Sequence, residues 1–218
     1  TAHIARKVRA ADSSPGVLDR SLFGEEFYLY GAHEEDRLEG SPGAVLAHRA
    51  GAVCLGTVDG AIWLSHLKAR NHGPFANIKL PATQVLGARV TSVPERPIEL
   101  TDANDYRTYR EIVYWERQDV GFLSFDFYNG AMSTEQCHHL RKAYRHACAQ
   151  ATKVIVLMGG RSFFSNGIHL HVIEAARDSA AESWANIHAI NDLVRDIIET
   201  PSHLVIAALR GNAGAGGA

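Results

Sequence analysis

Cysteine is scarce in this 218-residue sequence, and the three that occur, Cys54, Cys137 and Cys148, form no CxxC pair. An odd set without that spacing argues against a disulfide framework or a zinc ribbon, and it favours a reducing, cytoplasmic setting. Long apolar runs are also missing. No stretch approaches the roughly 18 residues that span a bilayer, and the start TAHIARKVRAADSSPG lacks the apolar core of a secretory signal. We therefore expect a soluble protein with no membrane partner.

An excess of charge of either sign is absent as well. The sequence has 22 Lys and Arg against 24 Asp and Glu, a formal net charge of −2. No global positive field exists to attract a nucleic-acid backbone, so we expect no nucleic-acid partner. What the chain does have is 46% hydrophobic residues, enough to bury a sizeable core.

Twelve histidines make a metal site worth testing. His139 and His146 are seven residues apart on a predicted helix, and His169 and His171 alternate along the chain. No carboxylate or cysteine completes a recognisable ligand set with either pair. We therefore predict no metal site.

The first 97 residues alternate β-rich runs with glycine and proline: EEFYLYGAH, AVLAHRAGAVCLGTVDGAIWLSHLK and LGARVTSV. Ala50-Gly51 and Asp59-Gly60 each lie between two such runs, where a tight hairpin needs positive φ. This pattern predicts a small antiparallel module, with a three-strand meander from residue 44 to 67.

The two ends of this module are more polar. Arg6, Lys7 and Arg9 form a small basic cluster, which we interpret as part of a water-exposed entry linker. Residues 98–118 are charged and punctuated by proline without a sustained period, so we interpret them as a connector that holds no more than one short helix.

From Asp119 to Ala218 the pattern becomes strand, helix, strand, helix, strand. VGFLSFDF alternates as a strand does, and Ser133-Thr134-Glu135-Gln136 fits a capping box that opens a helix ending near Ala151. VIVLM at 154–158 is typical of a strand that is covered on both faces.

A second helix and strand follow. Pro201 ends this helix just before HLVIAAL, which we predict to be a second buried strand parallel to the first. The helix has an apolar stripe of Trp184, Ile187, Ile190, Val194 and Ile197.

Two glycine-containing loops, GRSFFSNGIHL at 160–170 and RGNAGAGGA at 210–218, follow the two parallel strands. Open parallel sheets bind ligands outside the carboxyl ends of their strands, where these two loops lie. Glycines let the backbone approach a ligand, so two such loops side by side favour an oxyanion hole, in which two N–H groups stabilise one developing negative oxygen.

FSNGIHL followed about 40 residues later by GNAGAGG resembles the paired signature of the crotonase (enoyl-CoA hydratase/isomerase) superfamily. VGFLSFDFYNGAMSTEQCHHLRKAYRHACAQATKVIVLMGG is similar to the first strand, turn, helix and second strand of the same superfamily. The resemblance covers residues 119–218 and implies a partial crotonase-like ββα superhelix that binds an acyl-coenzyme A.

The same resemblance implies roles for individual residues. The amides of Ile168 and Gly216 would form the oxyanion hole. The backbone that binds coenzyme A would come from Asn129, Gly130, Ala131, Ser165, Asn166 and Gly167.

The sequence departs from the crotonase pattern at two points. His169 replaces the usual aspartate after the oxyanion residue, and the position at which hydratases carry a catalytic glutamate falls just after Ala218. Hydratase chemistry is therefore not supported, and we expect the general acid or base to lie beyond residue 218. Neither His169 nor His171 is a convincing substitute.

VRAADSSPGVLD resembles the junction in folate-dependent formyltransferases where the catalytic domain meets a small β-rich, OB-like C-terminal domain, and the meander ending in DGAIWLSHLK is similar to that domain. A formyltransferase tail joined to a crotonase start resembles the HypX (HoxX) family of nickel-iron hydrogenase maturation factors. This implies an α/β chain in which residues 1–97 are the formyltransferase C-terminal domain, 98–118 the connector and 119–218 the first half of the crotonase-like domain.

The family resemblance implies a reaction. A formyl group passes from formyl-tetrahydrofolate, bound in a formyltransferase domain outside this sequence, to coenzyme A. The crotonase-like part then acts as a lyase that releases carbon monoxide from formyl-CoA for the hydrogenase iron centre. Partners would be formyl-CoA or another acyl-CoA, and other hydrogenase maturation proteins.

Two other functions stay open at this point. One is an ordinary acyl-CoA hydratase, isomerase or hydrolase, which needs a carboxylate after residue 218. The other is a non-catalytic scaffold in hydrogenase assembly, which would show no saturable binding of coenzyme A. In each case an isolated 1–218 piece should expose a strand edge and apolar faces, so we expect it to aggregate.

Overall fold

The computed structural model describes residues 1–101 and 105–217. Residues 102–104 and 218, which fall in the predicted connector and the predicted second domain, lie outside the described residues. The described chain forms two compact units, one of residues 1–98 and 105–109 and the other of residues 99–101 and 110–217.

The first unit is built on a six-stranded antiparallel sheet. Its strand order is β1-β2-β5-β4-β3, and β6 also pairs with β5. The strands are β1 (Val17–Asp19), β2 (Phe27–Glu35), β3 (Val45–Arg49), β4 (Ala52–Thr57), β5 (Gly60–Ala69) and β6 (Lys79–Pro81), and the helices are α1 (Ala2–Ala10) and α2 (Ala82–Leu86).

Tight turns join β3, β4 and β5 into the predicted meander. Ala50 and Gly51 have φ of 45° and 78°, the two positive values that a two-residue hairpin loop needs. The second hairpin closes with Thr57 paired to Gly60, so its loop residues are Val58 and Asp59 rather than the predicted dipeptide.

Two segments of the first unit differ from the sequence prediction. The expected entry linker is helix α1, in which Ala5 and Val8 are fully buried while the three basic residues stay exposed. LGARVTSV is not a β-rich run: it contains the end of α2 and a 3₁₀ turn at Gly87–Val90. Leu86 and Val90 both reach the core from positions four apart, a spacing that puts two side chains on one face of either a helix or a strand.

A buried polar cluster ties residue 108 to this sheet. The Glu35 carboxylate accepts hydrogen bonds from Trp63 Nε1 at 2.6 Å and from Thr108 Oγ1 at 2.5 Å. The Arg49 guanidinium lies 4.3 Å from the centre of the Trp63 ring and donates to Thr108 Oγ1. Because Glu35 is only 5% exposed, these donors replace the water that its charge has lost.

The second unit has a four-stranded sheet in the order β13-β10-β8-β7, with β8, β10 and β13 parallel and β7 antiparallel to β8. Two short parallel pairs, β9 with β12 and β11 with β14, lie beyond it. The strands are β7 (Ile112–Arg117), β8 (Val120–Phe125), β9 (Ala131–Met132), β10 (Val154–Met158), β11 (Phe163–Ser165), β12 (Gly167–Ile168), β13 (Leu204–Ala208) and β14 (Asn212–Ala213), and the helices are α3 (Thr134–Cys148), α4 (Leu170–Ala175) and α5 (Ser179–Ile198).

Strand β7 lies in the segment that the sequence predicted to be a connector. It forms a hairpin with β8, and Trp115 stacks on Phe122 with ring centres 5.3 Å apart. The strand opens with four consecutive apolar or aromatic residues and ends with Glu116 and Arg117, so it lacks the apolar–polar alternation that identifies a strand in sequence.

Helix α3 begins where the sequence predicted. Ser133 caps it: its hydroxyl accepts the Gln136 N–H at 3.2 Å, and the Gln136 side chain accepts the Ser133 N–H at 3.0 Å. The helix ends at Cys148, three residues before the predicted Ala151. The confirmed capping box therefore fixes the start of the helix better than periodicity fixes its end.

Ion pairs join α3 to α5. Arg141 contacts Asp192 at 2.7 Å and Asp196 at 2.8 Å, and Arg145 contacts Asp196 at 2.7 Å. The hydrogen bonds from Arg141 and Arg145 lower the pKa of the Asp196 carboxyl to about 2, and the bond from Arg141 contributes most.

The buried face of α5 is not the predicted apolar stripe. Of the stripe only Ile190 is buried, and Trp184 is 67% exposed. Strand β13, which was predicted to be a second buried strand, is the edge of its sheet, with Leu204 63% exposed. The helix packs instead through Asn186, Ala189, Ile190 and Leu193.

Candidate functional site

Three loops leave the carboxyl edge of the parallel strands. The first follows β8 and contains Asn129, the second follows β10 and contains Ser165, and the third follows β13 and contains Gly216. Since β8, β10 and β13 are adjacent and parallel, the loops begin side by side. This is the edge at which open parallel sheets bind ligands.

The first and second loops are held together by backbone pairing. Gly167 pairs with Ala131 in the β9–β12 bridge. The Asn166 N–H donates to the Gly130 carbonyl at 2.7 Å, and Asn166 Nδ2 donates to the Asn129 carbonyl, also at 2.7 Å. The structure thus brings together the residues that the crotonase resemblance assigned to coenzyme A.

The second and third loops are also in contact. Phe163 pairs with Asn212 in the β11–β14 bridge, and the Gly214 N–H donates to the Ser165 carbonyl at 2.9 Å. A Cβ placed on Gly167 would lie 3.0 Å from the Gly216 nitrogen, so an alanine there would force one of these two backbones to shift. Ile168 and Gly216, the two predicted oxyanion donors, therefore belong to backbones that touch.

Left-handed backbone at the first loop explains its asparagine and glycine. Asn129 and Gly130 have φ of 54° and 68°. A Cβ on Gly130 would lie 2.7 Å from the Cβ of Phe163, so this position needs glycine for space as well as for conformation.

Ser165 supports the second loop from inside. Its hydroxyl accepts the Gly167 N–H at 3.0 Å, and the residue is only 3% exposed. A Cβ on Gly217 would collide with this side chain. The serine therefore fixes the turn that precedes Ile168 and sets the approach of the third loop.

His169 is buried directly after Ile168. Its Nδ1 accepts the Val172 N–H at 3.3 Å and so caps α4. Burial, with a smaller effect of His171, lowers the pKa of His169 to about 4, so the ring is neutral at neutral pH. It is oriented as a structural cap, whereas His171 is exposed.

Asn186 is the site neighbour that the sequence interpretation missed. This fully buried side chain reaches from α5 to the two paired strand ends: Oδ1 accepts the His169 N–H at 3.1 Å, and Nδ2 donates to the Met132 carbonyl at 3.0 Å. No sequence signal singles it out, because polar residues such as Ser183, His188 and Asn191 are scattered along the same helix.

An apolar cavity of about 210 Å³ lies below the loops, with Ser165 and Gly217 in its wall. The remaining wall is apolar apart from the hydroxyl of Tyr144, which donates to Thr200 Oγ1 at 2.7 Å. Burial raises the pKa of Tyr144 to about 12, so the wall supplies no group that titrates near neutral pH.

Neither a metal cluster nor a membrane-spanning helix occurs in the described residues. Across 1–101 and 105–217, no three His, Cys, Asp or Glu side chains come close enough to hold a metal ion. No helix within these ranges has the length and apolar character needed to cross a bilayer.

Comparison with known proteins identifies both halves of the architecture. The model of the formyl transferase C-terminal domain matches residues 1–76. The hydrogenase maturation factor HoxX of Bradyrhizobium diazoefficiens is 47% identical over 217 residues, which are 100% of this chain and 36% of that protein.

Solved structures agree. HypX from Aquifex aeolicus, crystallised in complex with tetrahydrofolic acid, superposes with a TM-score of 0.93 at 48% identity over 97% of this chain and 37% of that one. A variant of the same protein gives a TM-score of 0.92, again at 48% identity over 97% of this chain, and 38% of the other. The fold class expected from the sequence is confirmed, and the chain spans a little over a third of the length of these relatives.

Proposed function

Because this chain belongs to the HypX/HoxX family of hydrogenase maturation factors, we propose that its second unit binds formyl-coenzyme A and contributes the oxyanion hole for release of carbon monoxide. The Ile168 and Gly216 N–H groups are the two donors, and the formyl oxygen accepts both. The whole protein is then a lyase coupled to a formyltransferase, which works in the cytoplasm and supplies the iron centre of a nickel-iron hydrogenase.

The observation that carries this proposal is the contact between the two glycine loops. A Cβ at Gly167 would lie 3.0 Å from the Gly216 nitrogen, so the two backbones pass close to each other. Fixed N–H donors close to one point stabilise the charge that a thioester oxygen gains in reaction, and removing one such donor costs about 2.7 to 4 kcal/mol. The donors belong to the main chain, which explains why the loops need glycines more than particular side chains.

The balanced reaction converts formyl-CoA into carbon monoxide and free coenzyme A thiol. The bond between carbon and sulfur breaks with its electron pair going to sulfur, a general base takes the formyl hydrogen as a proton, and the thiolate is protonated. No oxidant or reductant is needed. The Ile168 and Gly216 amides polarise the carbonyl, and His169 takes no part because it is a neutral, buried helix cap.

The same loops are the proposed binding site of the pantetheine arm of coenzyme A. The paired backbones of Asn129–Ala131 and Ser165–Gly167 present glycines at Gly130 and Gly167, where a Cβ would close the space between loops. These residues would hold the arm through the main chain and direct the thioester towards Ile168. Coenzyme A supplies the thiol that carries the formyl group.

The first unit supports a formyl transfer before this chemistry. Its match to a formyltransferase C-terminal domain, and the tetrahydrofolic acid bound to HypX of Aquifex aeolicus, support formyl-tetrahydrofolate as the donor. We assign that step to a catalytic domain outside this chain. Other hydrogenase maturation proteins are the proposed recipients of the product.

The test uses the full-length protein and formyl-CoA labelled with carbon-13. We expect labelled carbon monoxide and free coenzyme A in equal amounts, measured by gas chromatography and thiol titration. Formate with free coenzyme A would instead indicate a hydrolase. Absence of saturable coenzyme A binding in calorimetry would indicate a scaffold and would refute the proposal.

A further inference from the structure

Asn186 joins a helix to the two strand ends that frame the proposed oxyanion loop. Its Oδ1 accepts the backbone N–H of His169, and its Nδ2 donates to the backbone carbonyl of Met132. The orientation of the amide is fixed, because an N–H must face the oxygen and a carbonyl must face the nitrogen. A weak contact of Nδ2 with Cys137 Sγ at 3.8 Å completes its surroundings.

These two contacts act on the residues that flank Ile168. Met132 pairs with Ile168 in the β9–β12 bridge, and His169 is the next residue in the chain. In an extended strand, successive N–H groups point to opposite sides. An amide that holds the His169 N–H on the side of Met132 therefore turns the Ile168 N–H away from Met132.

We propose that Asn186 is a positioning residue of the thioester site, whose side-chain amide holds the strand ends at Met132 and His169 so that the Ile168 N–H points at the acyl oxygen. This inference rests on the proposed function. It predicts that loss of the amide weakens polarisation of the carbonyl, while binding of coenzyme A through the other loops continues.

Asn186→Ala in the full-length protein is the first test. We expect kcat for carbon monoxide release to fall about 10- to 100-fold, which is no more than the fall that removal of one oxyanion donor causes. KM for formyl-CoA should stay unchanged within about twofold. Two controls on α5 separate this from general damage. Asn191→Ala changes an exposed asparagine, and Ile190→Ala removes a buried apolar side chain that makes no hydrogen bond to Met132 or His169.

The thioester carbonyl of a bound acyl-CoA provides a second readout, which does not depend on the stability of helix α5. Acetyl-CoA labelled with carbon-13 at the carbonyl is bound to each protein, and the shift of its stretching band from the value in water is measured by difference infrared spectroscopy. The wild-type protein should shift the band to lower frequency, and Asn186→Ala should lose most of that shift.

Asn186→Asp gives a second, pH-dependent test. A protonated carboxyl has one donor and one acceptor and can replace both amide contacts, whereas a carboxylate cannot donate to Met132. Activity of this variant relative to wild type should therefore rise as the pH falls from 8 to 5. Burial lowers the pKa of the neighbouring His169 to about 4 and raises that of Cys137 to about 12, so neither titrates between pH 5 and 8; Glu182 on the same helix accepts from the Thr134 hydroxyl.

The outcomes distinguish the two proposals. If wild-type protein leaves the carbonyl band where water has it, the proposed function fails. If wild type shifts the band and Asn186→Ala shifts it equally, with kcat retained, the positioning role is wrong and the proposed function stands. A pH-independent ratio for Asn186→Asp would also contradict the positioning role.

Discussion

Replacing Gly167 with alanine inserts a methyl group between the two loops that form the proposed oxyanion hole. The new Cβ would lie 3.0 Å from the Gly216 nitrogen and 3.2 Å from its Cα, closer than ordinary van der Waals contact. Both contacts are with backbone, so no flexible side chain can yield. The Gly216 loop must move away, and its N–H moves with it.

Two effects contribute to the expected result. Gly167 has φ of 76°, so alanine there costs about 1 to 2 kcal/mol in backbone strain alone. Displacing one oxyanion donor costs a further 2.7 to 4 kcal/mol in the transition state, about 100- to 1000-fold in kcat. The strain lowers stability, whereas the displacement lowers the rate.

The assay is carbon monoxide release from formyl-CoA by the full-length protein, with the thermal unfolding midpoint measured in parallel. Gly24→Ala is the matched control, because Gly24 has φ of 71° and a Cβ there meets nothing within 4 Å. The control should lose stability but keep its activity. Gly167→Ala with wild-type kcat, and no more destabilised than Gly24→Ala, would show that the two loops do not act together.

Three further predictions concern stability and association. Because Arg141 lowers the pKa of Asp196 to about 2, the stability from this ion pair is complete above about pH 4 and is lost as the pH falls towards 2. The thermal unfolding midpoint of wild type should therefore drop more between pH 4 and pH 2 than that of Asp196→Asn. Parallel curves for the two proteins would contradict this. Trp63→Phe removes a donor from the buried Glu35 carboxylate and should lower the free energy of unfolding by about 1 to 3 kcal/mol in urea denaturation; an unchanged midpoint would show that the bond contributes nothing. An isolated 1–218 piece should self-associate through its exposed edge strand, and Leu204→Lys should increase the monomer fraction in light scattering; a monodisperse wild-type piece would refute this.

The local elements that sequence predicts best are those with their own chemical signal. The capping box at Ser133 gave the start of α3, and Ala50-Gly51 gave the first hairpin of the meander. The segments that failed lack such a signal. Strand β7 opens with apolar residues that do not alternate with polar ones, and the residues from Leu86 to Val90 have apolar spacing that suits more than one structure.

Tertiary packing determines which face of helix α5 is buried. The apolar residues of α5 spread over more than one face, so periodicity alone chose a stripe led by Trp184. In the structure α5 turns Ala189 and Leu193 inward, together with Asn186. The buried asparagine is acceptable there only because strand ends from elsewhere in the chain supply its hydrogen-bond partners.

The sequence by itself determined that two glycine loops follow two parallel strands, and that the chain combines a formyltransferase tail with a crotonase-like start. Only the tertiary structure decided that Gly167 and Gly216 touch, and that Asn186 binds Met132, which lies 54 residues earlier in the chain. The physical reason is that backbone propensities act over a few neighbouring residues, whereas a close approach of two loops depends on the register of strands that pair across long separations.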